Sequence, residues 1–294
     1  MMGVDGAVLK DNSYDIVIVG GGAGGVAVAA SLLKRRPKLT IAIIEPEEIH
    51  YYQPGFTLVG AGVFTPDAVW HPMEKILPKK TSWIKHAVVE FVPEQNEVIL
   101  SDGGRVKYQM LVAAPGIKLN WAGVKGLNET LGRNGVTSNY LPHLAPYTHE
   151  MADSLKGGRA LFTQPPMPIK CAGAPQKAMY LSCDIWRGRG VLKNIEVEFH
   201  TAGNVLFGVP AYVPALMKYI EAYGVSLNLE SKLVSVDGEA RIATFERKNE
   251  QGSFELIQRE FDMLHAVPPQ TAPDFVAKSP LAGETGFISV DQDT

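Results

Sequence analysis

Apolar and polar positions along this chain follow two rhythms, and the first switch between them organises what comes after. Residues 16–19 (IVIV) are an unbroken apolar run, the pattern of a strand buried on both faces. The run breaks into Gly20, Gly21, Gly22, Ala23, Gly24 and Gly25. A helical pattern then holds from Val26 to about Arg36 and is closed by Pro37. A second β-rich run, residues 39–44, ends in Glu45. After a Pro54-Gly55 turn and a helical turn at 73–77, the rhythm becomes β at 83–84, 87–92, 97–100 and 105–114. The breaks at 93–96 and 101–104 read as hairpin turns. This predicts a small antiparallel layer inserted after a β-α-β unit.

A helix is expected at 144–155, inside a connection that runs from 117 to 158. A buried strand follows at 159–163, a helix from Ala174 or Pro175, and a strand at 195–201. An amphipathic helix is expected at 210–223. The runs 225–229, 232–237, 241–247 and 254–261 suggest a small β region, and 262–267 leads back toward the first domain. Residues 287–291 (FISVD) are strand-like. The pattern is α/β with two Rossmann-like domains, 12–116 plus 268–294 and 117–267.

The first switch also carries chemistry. Gly20, Gly22 and Gly25 spell G-x-G-x-x-G between strand and helix, with an acid 20 residues after the last glycine. Gly20 permits the tight turn, Gly22 admits a pyrophosphate to the backbone, and Gly25 lets helix pack on strand. The helix start offers free N–H groups and the positive end of its dipole. Glu45 suits a ribose 2′-hydroxyl, and its charge would repel a 2′-phosphate. Residues 16–33 are uncharged over 18 positions, which admits a membrane span. Five glycines and a strand-type opening oppose that reading, and the acidic flank opposes a signal peptide. Together with the return through 108–114 to Pro115-Gly116, this is the layout of an FAD domain.

A second nucleotide domain should repeat the glycines after 159–163. The chain gives QPPMPIKCAGAPQ instead, in which Pro165, Pro166 and Pro168 keep the loop extended and remove N–H donors. The following strand ends in Thr201 and Ala202, without a ribose-binding acid. Cys171 stands where the glycines are missing, beside Lys170 and just before a helix. Both features favour a thiolate, although a cysteine is also often an inert core residue. If 174–186 is helical, about 12 residues at roughly 1.5 Å each place Cys183 some 18 Å away, too far for a disulfide. Cys183 therefore reads as structural. Tyr51 and Tyr52 could stack on a ring system or belong to the core.

Composition changes this picture little. A length of 294 residues suits about two domains. The net charge of -3 gives no electrostatic footprint for nucleic acid, and two cysteines exclude a disulfide-built scaffold. No internal repeat, low-complexity tract, metal-ligand spacing or transit peptide is read.

Four segments carry a family likeness: HYYQPGFTLVGAG, IKCAGAPQKAMYLS, EFHTAGNVLFGVPAYVPAL and DMLHAVPPQTAPDFV. They resemble the sulfide:quinone oxidoreductases, in the branch that includes the mitochondrial enzyme and its bacterial relatives. The resemblance implies an FAD/NAD-linked reductase fold in which only the first domain binds a nucleotide. It implies oxidation of hydrogen sulfide through a cysteine persulfide, with electrons passing through FAD to ubiquinone or another quinone. A small sulfur acceptor would take the product. It makes Cys171 one of two redox cysteines. It extends the FAD contacts from Gly20, Gly22, Gly25 and Glu45 to Gln53, Pro54, Ala114, Pro115 and Gly116.

It also implies that the C-terminal portion of the family is absent here, namely a second acidic FAD contact, the second redox cysteine and a region for peripheral membrane contact. The membrane would be the bacterial cytoplasmic membrane, or the mitochondrial inner membrane in a eukaryote. Three alternatives stay open: a flavocytochrome-type sulfide dehydrogenase, a type-II NADH:quinone reductase, and a non-catalytic flavoprotein fragment.

Overall fold

Strand β1 (Ser13–Val19) enters the glycine loop, and helix α1 (Ala23–Arg35) leaves it to return the chain to β2 (Ile41–Ile44). These come from a computed structural model that describes residues 12–249, 251–291 and 293; positions 292 and 294 of the expected first domain lie outside them. A short hairpin pairs β3 (Ile49–Tyr51) with β4 (Trp70–Pro72), and α2 (Phe56–Gly60) lies between them in sequence. After α3 (Met73–Ile76) come β5 (Thr81–Ile84), β6 (Val88–Val92), β7 (Glu97–Leu100) and β8 (Arg105–Ala113).

One six-stranded sheet, ordered β5-β2-β1-β8-β7-β6, contains all the longer strands of this half. The expected antiparallel strands are present, but as a continuation of this sheet. β8 pairs in parallel with β1 on one edge and antiparallel with β7 on the other, so the hairpins extend the nucleotide sheet. The length of β8 lets one strand serve both partners. Alternation explains how the sheet is buried on two sides. Val17, Val19, Ala42 and Ile44 pack with Phe91, Val98 and Val276, whereas Ile16, Ile18, Ile41 and Ile43 pack with Ala29 of α1. Consecutive residues of one apolar run thus build two cores.

The second half begins with β9 (Lys118–Leu119), α4 (Leu127–Thr130), β10 (Val136–Thr137) and α5 (Ala145–Ser154). Next come β11 (Gly158–Gln164), α6 (Ala174–Gly188), β12 (Ile195–Thr201), α7 (Val213–Tyr223) and β13 (Ser226–Asn228). An antiparallel layer follows, made of β14 (Ser231–Asp237), β15 (Ile242–Lys248) and β16 (Phe254–Glu260). The chain closes with β17 (Met263–His265), β18 (Gln270–Thr271) and α8 (Asp274–Ala277).

The second main sheet is all parallel, ordered β10-β17-β11-β12-β13. β17 is an inner strand of this sheet, although the sequence reads it as a lead back to the first domain. β13 likewise joins β12 and not the antiparallel layer. Ala160 and Phe162 face a core with Met179, Cys183 and Trp186 of α6, while Leu161 faces the other side with Val136, Leu264 and Phe245. Residues 287–291 form no strand; Ile288 makes only an isolated bridge to Ala282.

The chain divides into two compact units. One comprises the residues up to Tyr51, Trp70–Ile117 and Ala272 onward, and the other Tyr52–Val69 with Lys118–Thr271. Residues 52–69 thus fall with the second unit, where the sequence assigns them to the first. The reason is packing: Phe56, Val59 and Val69 share a buried cluster with Ala145.

Two buried histidines make the second unit sensitive to acid. His265 is fully buried on β17, stacks on Phe162 at 6.0 Å, and accepts from Asn139 N through Nε2 at 2.9 Å. Burial lowers its pKa to about 4. Its unfolded value lies near 6.5, so as pH falls from there the unfolded chain takes a proton that the native state refuses. Stability should therefore fall by about 1.4 kcal/mol per pH unit from this residue, roughly 3 kcal/mol by pH 4. Burial also lowers the pKa of His200, in the same direction. Urea unfolding between pH 7 and 4.5 should show a steeper loss for the parent than for His265→Gln. Equal slopes would refute the assignment.

Candidate functional site

The glycine loop closes where it must and opens where a ligand needs room. Gly20 has φ +104°, and a Cβ there would stand 2.2 Å from Ala114 O. A Cβ on Gly25 would stand 2.0 Å from Gly20 O. Both positions are therefore confined to glycine by backbone atoms. A Cβ on Gly22 would meet nothing within 4 Å. Gly22 also heads α1, a 13-residue helix with neither a side-chain cap bond nor an acid in its first turn. The loop thus leaves its approach side clear of protein atoms and keeps the helix start free for an anion, as a dinucleotide pyrophosphate requires.

Glu45 sits over this loop at the end of β2. Its Oε2 accepts from Gly21 N at 2.8 Å and its Oε1 from Glu47 N at 2.9 Å. Each oxygen keeps capacity for another donor, so a ribose hydroxyl fits without breaking either bond. Trp83 Nε1 donates to Glu45 O at 2.8 Å and fixes the strand end. His50 Nδ1 donates to Gly21 O at 3.2 Å, a contact that the sequence offered no signal for. Ala114 N donates to Val19 O at 2.8 Å, which holds Ala114-Pro115 against Gly20; Gly116 follows with φ +76°. Gln53 and Pro54, expected beside the cofactor, belong to a 3-10 turn of the other unit.

Cys171 lies in the second unit on the loop between β11 and α6, three residues before the helix; the loop bends at 166–168 and 170 and does not stay extended as its prolines suggest. It is exposed, with a left-handed backbone at φ +60°. Its carbonyl accepts from Ala174 N at 2.9 Å, so the cysteine leads directly into the first turn. Lys170 does not simply stand beside the thiol, as the sequence suggests. Its ammonium donates to Gln53 Oε1 and lies 5.8 Å from the Tyr140 ring centre. Burial pushes its pKa below the usual lysine range, while negative charge at Cys171 acts in the opposite sense.

Tyr140 and Gln270 complete this cluster and were invisible to sequence reasoning, being 31 and 99 residues from Cys171. Cys183 is a free thiol in the α6 core at 0% exposure, its pKa pushed up to about 12, chiefly by burial. Among the described residues no group of three or more His, Cys, Asp or Glu side chains could hold a metal ion, and no helix is long and apolar enough to cross a membrane.

A mixed sheet and an all-parallel sheet, each with crossover helices, and a complete glycine cradle in the first define an FAD/NAD-linked reductase fold. A family model described as pyridine nucleotide-disulphide oxidoreductase matches residues 14–146. In sequence the chain is similar to sulfide:quinone oxidoreductases. It is 42% identical over 286 residues to the mitochondrial sulfide:quinone oxidoreductase of Dictyostelium discoideum and 37% identical over 283 residues to that of Mus musculus. Each match covers 96% of this chain and 62% of the relative, so the chain spans less than two thirds of their length. The X-ray structure of the sulfide:quinone oxidoreductase from Aquifex aeolicus matches with a TM-score of 0.77 at 20% identity, over 94% of this chain and 63% of that one. That last likeness is one of fold.

Proposed function

We propose that this chain binds FAD at the Gly20–Gly25 loop and serves a sulfide:quinone oxidoreductase, with Cys171 as a redox sulfur. The observation that carries the reading is the β11–α6 loop. In a second sheet built like a nicotinamide domain, the crossover that would need glycines holds three prolines and an exposed cysteine. The end of β12 supports it, since Thr201 is fully buried and no ribose-binding acid stands there.

In this reading hydrosulfide attacks a disulfide that includes Cys171. The S–S bond breaks, a new S–S bond leaves a persulfide on one sulfur, and the other sulfur departs as thiolate with the electron pair. The hydrosulfide proton passes to solvent, and a small thiol, sulfite or another sulfur acceptor removes the sulfane sulfur. The chemistry that FAD supplies when bound is two-electron transfer between the thiolate and a quinone. Gly20, Gly22, Gly25 and Glu45 would hold its pyrophosphate and ribose, and Ala114, Pro115 and Gly116 would be further contacts. The second sulfur of the disulfide is not Cys183, which is buried on the far side of the first turns of α6. The quinone implies peripheral contact with a membrane.

The test is anaerobic titration of the flavin-loaded protein, read by visible absorption. Sulfide is expected to bleach the flavin and NADH to leave it unchanged. Bleaching by NADH would favour a type-II NADH:quinone reductase instead, and absence of flavin from the protein would favour a non-catalytic role.

A further inference from the structure

The Cys171 turn is gripped by two buried side chains from distant parts of the second unit. Tyr140 OH donates to Lys170 O at 2.9 Å and to Cys171 O at 3.2 Å. Gln270 Oε1 accepts from Lys170 N. Both peptide groups flanking the Lys170–Cys171 bond region are therefore tied to side chains, which are themselves 6% and 5% exposed. A residue with a Cβ adopts φ +60° only where its surroundings impose it. At Cys171 the surroundings are these two groups, together with the Ala174 N bond to its carbonyl.

We propose that Tyr140 and Gln270 are positioning residues for the Cys171 thiol, fixing the left-handed turn that presents it. The inference rests on the reading of Cys171 as the redox sulfur. Tyr140→Phe keeps the ring and its packing but leaves Lys170 O against a buried hydrocarbon edge. The carbonyl can recover a partner only by rotating its peptide plane, and that rotation carries the Cys171 backbone out of the left-handed region. Gln270→Met removes the acceptor for Lys170 N at similar volume and releases the turn from its other side. Gln270→Glu restores an acceptor oxygen at the same reach.

The experiment is the rate of iodoacetamide alkylation at each cysteine of the full chain, followed against pH by peptide mass spectrometry. Rates are compared on the high-pH plateau, where the thiol is fully ionised and an added carboxylate no longer acts through ionisation. Tyr140→Phe and Gln270→Met are each expected to lower the plateau rate at Cys171 about fivefold, the factor corresponding to one net hydrogen bond. Gln270→Glu is expected to recover it, with Cys183 unlabelled throughout. An unchanged rate in the first two variants would overturn the proposal. So would labelling of Cys183 alongside Cys171, which means general loosening, or failure of Gln270→Glu to recover the rate. The redox reading is tested separately by Cys171→Ser in the sulfide titration, and its failure would leave the alkylation result standing.

Discussion

Gly22→Val should yield a folded protein that purifies without flavin. The expectation follows from the unequal surroundings of the three fingerprint glycines. Gly22 has φ -69°, within reach of any residue, and a Cβ there meets no protein atom within 4 Å. The fold therefore has no reason to object, and thermal stability should stay within about 1 kcal/mol of the parent. The isopropyl group would instead fill the space through which a pyrophosphate reaches the start of α1. The dissociation constant for FAD should rise at least a hundredfold, roughly 2.7 kcal/mol.

Gly25→Ala is the contrasting variant, because its new methyl would stand 2.0 Å from Gly20 O. It should lose flavin and stability together, as the loop backbone must move. Flavin content is read from the absorption of the purified protein, and stability from thermal unfolding. A Gly22→Val protein carrying one flavin per chain would show that this loop is not the cradle.

The difference between these glycines illustrates what the sequence could convey. The spacing of Gly20, Gly22 and Gly25 between an apolar run and a helix is local, and local patterns survive into the structure nearly residue for residue. The same holds for Pro175 at the start of α6 and for the hairpin turns before β7 and β8. Strand partnership is a different kind of fact. β17 inserts between β10 and β11 although it follows β11 by about a hundred residues, and nothing in DMLHAV names those neighbours. Its three residues are all buried, as an inner strand requires, but the same run suits any buried strand.

The placement of residues 52–69 failed for a related reason. Their apolar positions are evident, but the partner they bury against, Ala145, lies on a helix far along the chain. Candidate chemistry divides in the same way. Cys171 was legible because it interrupts an expected motif. Tyr140 and Gln270 were not, because an isolated tyrosine or glutamine carries no spacing signal and its role arises only from tertiary proximity.

If Cys171 is the redox sulfur as proposed, Cys171→Ser should abolish sulfide-dependent flavin reduction while leaving flavin content unchanged, and Cys183→Ala should preserve the reaction. The two thiols share a loop and the helix that follows it, yet their environments oppose each other. Cys171 is exposed, ahead of α6, on a turn held by buried hydrogen-bonding groups. Cys183 is 0% exposed on the inner face of α6, among Phe162, Met179 and Trp186, and its thiol is pushed up to about 12. A thiol that ionises only at such pH supplies almost no thiolate near neutrality and has no open path to hydrosulfide.

Serine at 171 retains size and polarity but forms neither a disulfide nor a persulfide, so the loss should be complete within detection, at least a thousandfold or about 4 kcal/mol in barrier. Alanine at 183 removes one buried sulfur and should lower stability by about 1–2 kcal/mol through packing alone. The comparison is made by anaerobic stopped-flow reduction with sulfide, beside thermal unfolding of each variant. If both variants lost activity while remaining folded, Cys183 would have to reach Cys171, which requires α6 to unwind over its first turns. Retained activity in Cys171→Ser would instead remove the thiol from the chemistry altogether.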